Sequence, residues 1–109
     1  MGRDAVESAY FTLLRAREEL DGLHRCGEYL AEEQRRIRRY QRESAALADT
    51  VDRRLRWGIR HTDTPLARAF EDRLEALADE LERLPARVVA AASFVEECER
   101  AHAELSRGA

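Results

Sequence analysis

From Leu66 onward the apolar residues keep a single helical phase: Leu66, Phe70, Leu74, Leu77, Leu81 and Leu84, then Val88, Val95, Cys98, His102 and Leu105. Side chains spaced this way share one face of an α-helix. The seam passes Pro85 without a change of phase, and the segment around it, RLPARVV, has no turn residues or caps. A proline inside a helix costs ~3 kcal/mol, yet a reversal here would lack any device to satisfy its backbone. We therefore expect one kinked helix over about 65–106, with a third helix starting at Pro85 as the alternative.

The first half of the chain repeats the pattern. Val6, Tyr10, Leu13, Leu20 and Leu23 recur at helical spacing, and Ala9, Phe11 and Leu14 widen the stripe. Gly22 and Gly27 are weak points where a left-handed cap could end a helix, but no good N-cap follows before Glu28, and the seam goes on through Cys26 and Leu30. Acid-before-arginine pairs four apart (Asp21/Arg25, Glu32/Arg36, Asp49/Arg53, Asp52/Arg56) support a helix running to about Arg56. Trp57-Gly58 then reads as a stop, and Thr64-Pro65 as a restart with threonine at the N-cap and proline at the first helical position. The expected fold is all-α: a long antiparallel helical hairpin turning near 57–64, a single domain over 1–109, with breaks at 22–27 and at Pro85 as alternatives.

Two helices do not cover every apolar residue. The stretches 9–14 (AYFTLL) and 88–95 (VVAAASFV) are apolar over more than one face. At 109 residues a domain is near the size at which self-association supplies missing burial. These stretches predict a homodimer forming a four-helix bundle.

Charge is segregated along the chain. All 19 basic residues are arginine, and the net charge of −3 conceals −4 over residues 1–34, +6 over 35–60 and −5 over 61–109. On a helix over 35–60, Ile37, Tyr40, Ser44, Leu47, Val51 and Leu55 fall on the seam side. Arg35, Arg38, Arg39, Arg42, Arg53, Arg56 and Arg60 fall opposite, interrupted only by Asp49. Such a stripe suits phosphate oxygens or an acidic protein face, though Tyr40, on the seam side, is no platform for stacking a base. The outer face of 66–84 is its counterpart in acid: Glu71, Asp72, Glu75, Asp79 and Glu82.

Few residues carry chemistry. Cys98 and His102 are four apart, a spacing that aims two ligands the same way, and a hairpin turning near 57–64 would bring Cys26 close to Cys98. With no fourth ligand in view, buried thiols are the reading, and no metal site is expected. Two cysteines and no leader suit reduced thiols in a cytoplasmic protein, and no run is long and apolar enough for a membrane. No Ser/His/Asp set, phosphate-binding glycine loop or carboxylate pair is present to suggest an enzyme or a cofactor.

Three family resemblances touch the region between the seams. Arg56 and His61, with four residues between, resemble the Arg-x4-6-His signature of HEPN ribonucleases, small helical domains that dimerise to cut RNA; Arg17 and His24, with six between, match it as well. HTDTPL at 61–66 is similar to the histidine-kinase H-box, one residue short and without its glutamate. The hairpin with Trp57-Gly58 at its bend resembles small type VII secretion substrates, whose turn has a residue between the two. From the residues themselves the expected function is a non-enzymatic helical assembly module that self-associates and binds a protein partner. Nucleic-acid binding through the basic face at 35–60 is the alternative.

Overall fold

The computed structural model describes the backbone of residues 2–50 and 53–108, and the side chains of these residues apart from 48 and 53–64. The chain is all-α: α1 spans Gly2–Thr50, α2 spans Arg53–Gly108, and the two form a hairpin. No described residue lies in a strand. The hairpin is organised as two compact units. A terminal unit combines Met1–Glu28 with Arg83–Ala109, and a central unit spans Tyr29–Glu82.

In the terminal unit the covered positions that face the opposing helix include Leu13, Ala16, Leu20, Leu23 and Gly27 of α1 and Leu84, Val88, Ala91, Val95, Cys98 and His102 of α2. Steps of three and four alternate along both helices, a 3.5-residue repeat that keeps one narrow seam facing a partner helix. Leu13, Ala16, Val95 and Cys98 form the buried cluster, with Leu20 packed against it. Across one edge of this seam Arg17 donates from Nη2 to Glu99 Oε1 at 3.4 Å, an exposed pair worth under ~1 kcal/mol.

The central unit has the same geometry and poorer chemistry. Its α1 seam reads Leu30, Gln34, Ile37, Gln41, Ser44, and its α2 seam Phe70, Leu74, Leu77, Leu81. Only Ile37 and Leu77 are buried among the described residues of this unit. Polar side chains hold three of the five α1 positions, so less apolar surface leaves water here than in the terminal unit.

Both glycines of α1 stay helical, and no described residue has a positive φ, so neither Gly22 nor Gly27 forms a left-handed cap. Their environments differ. A Cβ on Gly27 would come within 2.8 Å of Leu84 Cδ2, whereas nothing lies within 4 Å of one on Gly22. Gly27 is a notch for Leu84; Gly22 is an unfilled helix position. Gly22→Ala is expected to stabilise the protein by about 0.5–1 kcal/mol, read as a shifted urea midpoint with unchanged m.

The position of the bend is corrected. α2 begins at Arg53, so residues 57–64 are helical and Thr64-Pro65 opens no new helix. Both prolines of the chain lie inside α2. Proline's φ is already helical, and the hydrogen bond it removes is a cost that a helix held by a long seam can carry. At Pro85 the expected single helix is observed, running unbroken to Gly108.

The expected approach of Cys26 to Cys98 fails for a related reason. Gly27, next to Cys26, faces Leu84, and Cys98 lies fourteen residues further along α2, roughly 21 Å at ~1.5 Å per residue. Moving a bend by a few residues slides the opposing helix by twice as many. Cys26 is exposed, Cys98 is buried, and both are free thiols.

Candidate functional site

The arginine face is positioned by the central α1 seam. Because Ile37 is buried and Gln34, Gln41 and Ser44 share its side, Arg35, Arg38, Arg39 and Arg42 all stand exposed on the remaining surface. Two neighbouring acids hold part of this charge: Arg35 donates from Nε and Nη2 to Glu32 Oε2, at 3.2 and 2.8 Å, and Arg36 pairs with Glu33. Arg38, Arg39 and Arg42 have no ion-pair partner among the described residues. The side chains of Arg53, Arg56 and His61 lie outside the described residues, and with them the ribonuclease-like pair. The side chains of residues 61–64 of the H-box-like segment and of Trp57-Gly58 fall there as well.

The Arg35 hydrogen bond, and then its charge, hold the Glu32 carboxyl below the usual carboxylate range, with Arg39 and Arg36 adding smaller pulls. A carboxyl whose folded pKa is depressed adds stability above its unfolded pKa and loses it as pH falls through the folded value. Glu32 is fully exposed, so salt screens the effect. Its NMR titration is expected below the ordinary glutamate range, and Arg35→Gln is expected to raise it; an unchanged midpoint in the variant would disprove the assignment.

Tyr40 packs on Phe70 across the seam, ring centroids 5.1 Å apart, and stays 45% exposed. Beside this pair Gln41 Nε2 donates to Glu71 Oε1 at 2.9 Å, tying the basic helix to the acidic one. The acidic face stands as expected: Glu71, Asp72, Glu75, Asp79 and Glu82 are all exposed. Leu47, expected in the seam, is 58% exposed.

The terminal unit also carries uncovered apolar surface. Phe11 is 59% exposed, Val89 67% and Phe94 46%, all within the stretches singled out by their width. Phe94 borders a shallow groove lined by Leu23, Ala90 and Ala91 between the charges of Glu19 and Arg87. Sequence patterning alone did not single out this groove, since its walls come from two helices whose alignment depends on the bend.

Cys98 sits in the buried cluster, while His102 is half-buried against Tyr10, centroids 5.8 Å apart, and 3.5 Å from Ser106 Oγ. Among the described residues no three His, Cys, Asp or Glu side chains converge on a point that could hold a metal ion. No described helix is long and apolar enough to cross a membrane. Compared with protein-family models, curated proteins and solved structures, the chain matches none.

Proposed function

We propose that this protein is a non-enzymatic helical assembly module: it self-associates, completing a four-helix bundle, and presents its charged faces to a protein partner. The observation that carries this reading is the exposure of Phe11, Val89 and Phe94 on a helix pair whose own seam is already filled. Area supports it. The chain exposes 8599 Å², against roughly 6,200 Å² for a compact monomer of this mass. Over two copies the surplus comes to roughly 4,800 Å², within the ~2,000–5,000 Å² that obligate homodimers bury in total. Sedimentation equilibrium at micromolar concentration is expected to give the dimer mass at low and high salt. A monomer at every concentration would overturn the proposal.

A second reading is favoured by Arg38, Arg39 and Arg42, which are exposed and form no ion pair with the acids that hold Arg35 and Arg36. An acidic surface or a phosphate backbone would satisfy them. The packing of Tyr40 on Phe70 favours charge recognition over base stacking. If nucleic acid is the partner, fluorescence polarisation with generic oligonucleotides should show binding that weakens steeply with salt. Such binding should be lost when Arg35, Arg38, Arg39 and Arg42 become glutamate; binding that survives this change would remove the reading.

A further inference from the structure

In the terminal unit, Arg87, Ala90, Phe94, Glu97, Ala101 and Glu104 follow one another along α2 at steps of three and four, and every one of them is exposed. They form a stripe beside the buried seam of Leu84, Val88, Ala91, Val95 and Cys98. Its order is the unusual part. Basic Arg87 stands on the N-terminal side, a large aromatic occupies the centre, and acids stand on the C-terminal side.

A stripe with that order is complementary to itself when turned end for end. We infer that a second copy of the chain docks here, α2 against α2 and antiparallel, with a two-fold axis passing beside Phe94. In this alignment Arg87 of each copy lies between Glu97 and Glu104 of the other. Each Phe94 leaves water by entering the groove that Leu23, Ala90 and Ala91 form on the facing copy. A parallel alignment would set arginine against arginine and acid against acid, so charge selects the antiparallel one. The two-fold relation also closes the assembly at two copies, because each stripe is used up by its mate. This inference specifies the surface that covers Phe94 in the self-association proposed above and rests on that reading.

The test uses two full-length variants with complementary stripes. Arg87→Glu makes the stripe acidic throughout; Glu97→Arg with Glu104→Arg makes it basic throughout. Circular dichroism first confirms that helicity is retained, as all three positions are exposed. By sedimentation each variant alone is expected to dimerise at least about tenfold more weakly than the wild type, and an equimolar mixture to recover affinity to within about threefold. Phe94→Ala should weaken the wild-type dimer by a similar factor without lowering helicity. If the wild type dimerises and both charge variants do so equally well, the surface is wrong while self-association stands. If both variants weaken but their mixture does not recover, the antiparallel alignment is wrong. A monomeric wild type would overturn this inference together with the reading beneath it.

Discussion

Leu77→Ala lowers the stability of the central unit by about 2–4 kcal/mol, a large part of what holds a domain of this size. Leu77 is 3% exposed and Ile37 5%, and no other described residue of this unit is buried. The neighbouring seam positions are half-covered, and on α1 they include Gln34, Gln41 and Ser44, which cannot replace the lost contact. The cavity would also resist collapse, since helical backbones fix the seam's spacing. Native-state hydrogen exchange locates the effect: amides of 30–44 and 70–81 should lose protection first, those of 6–27 and 84–102 later. Uniform loss across all four segments would show that the two units open together.

Val95→Asp strikes the terminal unit harder at neutral pH, with an expected cost on the order of 4 kcal/mol. Val95 is 8% exposed and packs in the cluster of Leu13, Ala16 and Cys98. The charged residue one turn further along α2 is Glu99, an acid already drawn to Arg17. A carboxylate placed here enters the apolar cluster of Leu13, Ala16 and Cys98, so burial raises its pKa above the unfolded value. Stability should be least impaired below the unfolded aspartate pKa and fall as pH rises through the raised one. Val95→Asn is the control, with a penalty that does not vary over the same range. Parallel pH profiles for the two variants would show that the position is wetter than its burial implies.

The all-α class and most of both seams were legible from residue spacing, although Tyr10, Cys26, Tyr40, Leu47, Leu66 and Leu105, expected on the seams, are exposed. Leu13, Leu77, Val95 and Cys98 lie on the inner face because a helical period admits no other arrangement of so many leucines, alanines and valines. The exposure of Phe11, Val89 and Phe94 could be anticipated for the same reason: one partner helix covers one stripe. Local punctuation misled. Trp57-Gly58 and Thr64-Pro65 have the composition of a stop and a restart, yet helix runs through both. Such signals permit a boundary without compelling one, and the packing of two long arms outweighs them. Gln34 and Gln41 entered the seam unannounced, since polar residues contribute nothing to a hydrophobic period. The contacts that depend on alignment, such as Gly27 with Leu84 and Tyr40 with Phe70, were beyond reach, because an error in the bend displaces every pair at once.

The contact of Gly27 with Leu84 has an outcome for how this chain can change over time. Repeats of seven are interchangeable, and two such arms could in principle slide past each other by one repeat, about 10.5 Å, with oil still meeting oil. Leu84 would then press on Leu20 or on Gln34, each with a side chain where Gly27 has none. Lengthening or trimming by one heptad in a single arm is therefore expected to damage the protein. Matched heptads gained or lost in both arms, on the same side of Gly27, would leave the glycine and Leu84 abreast and be tolerated.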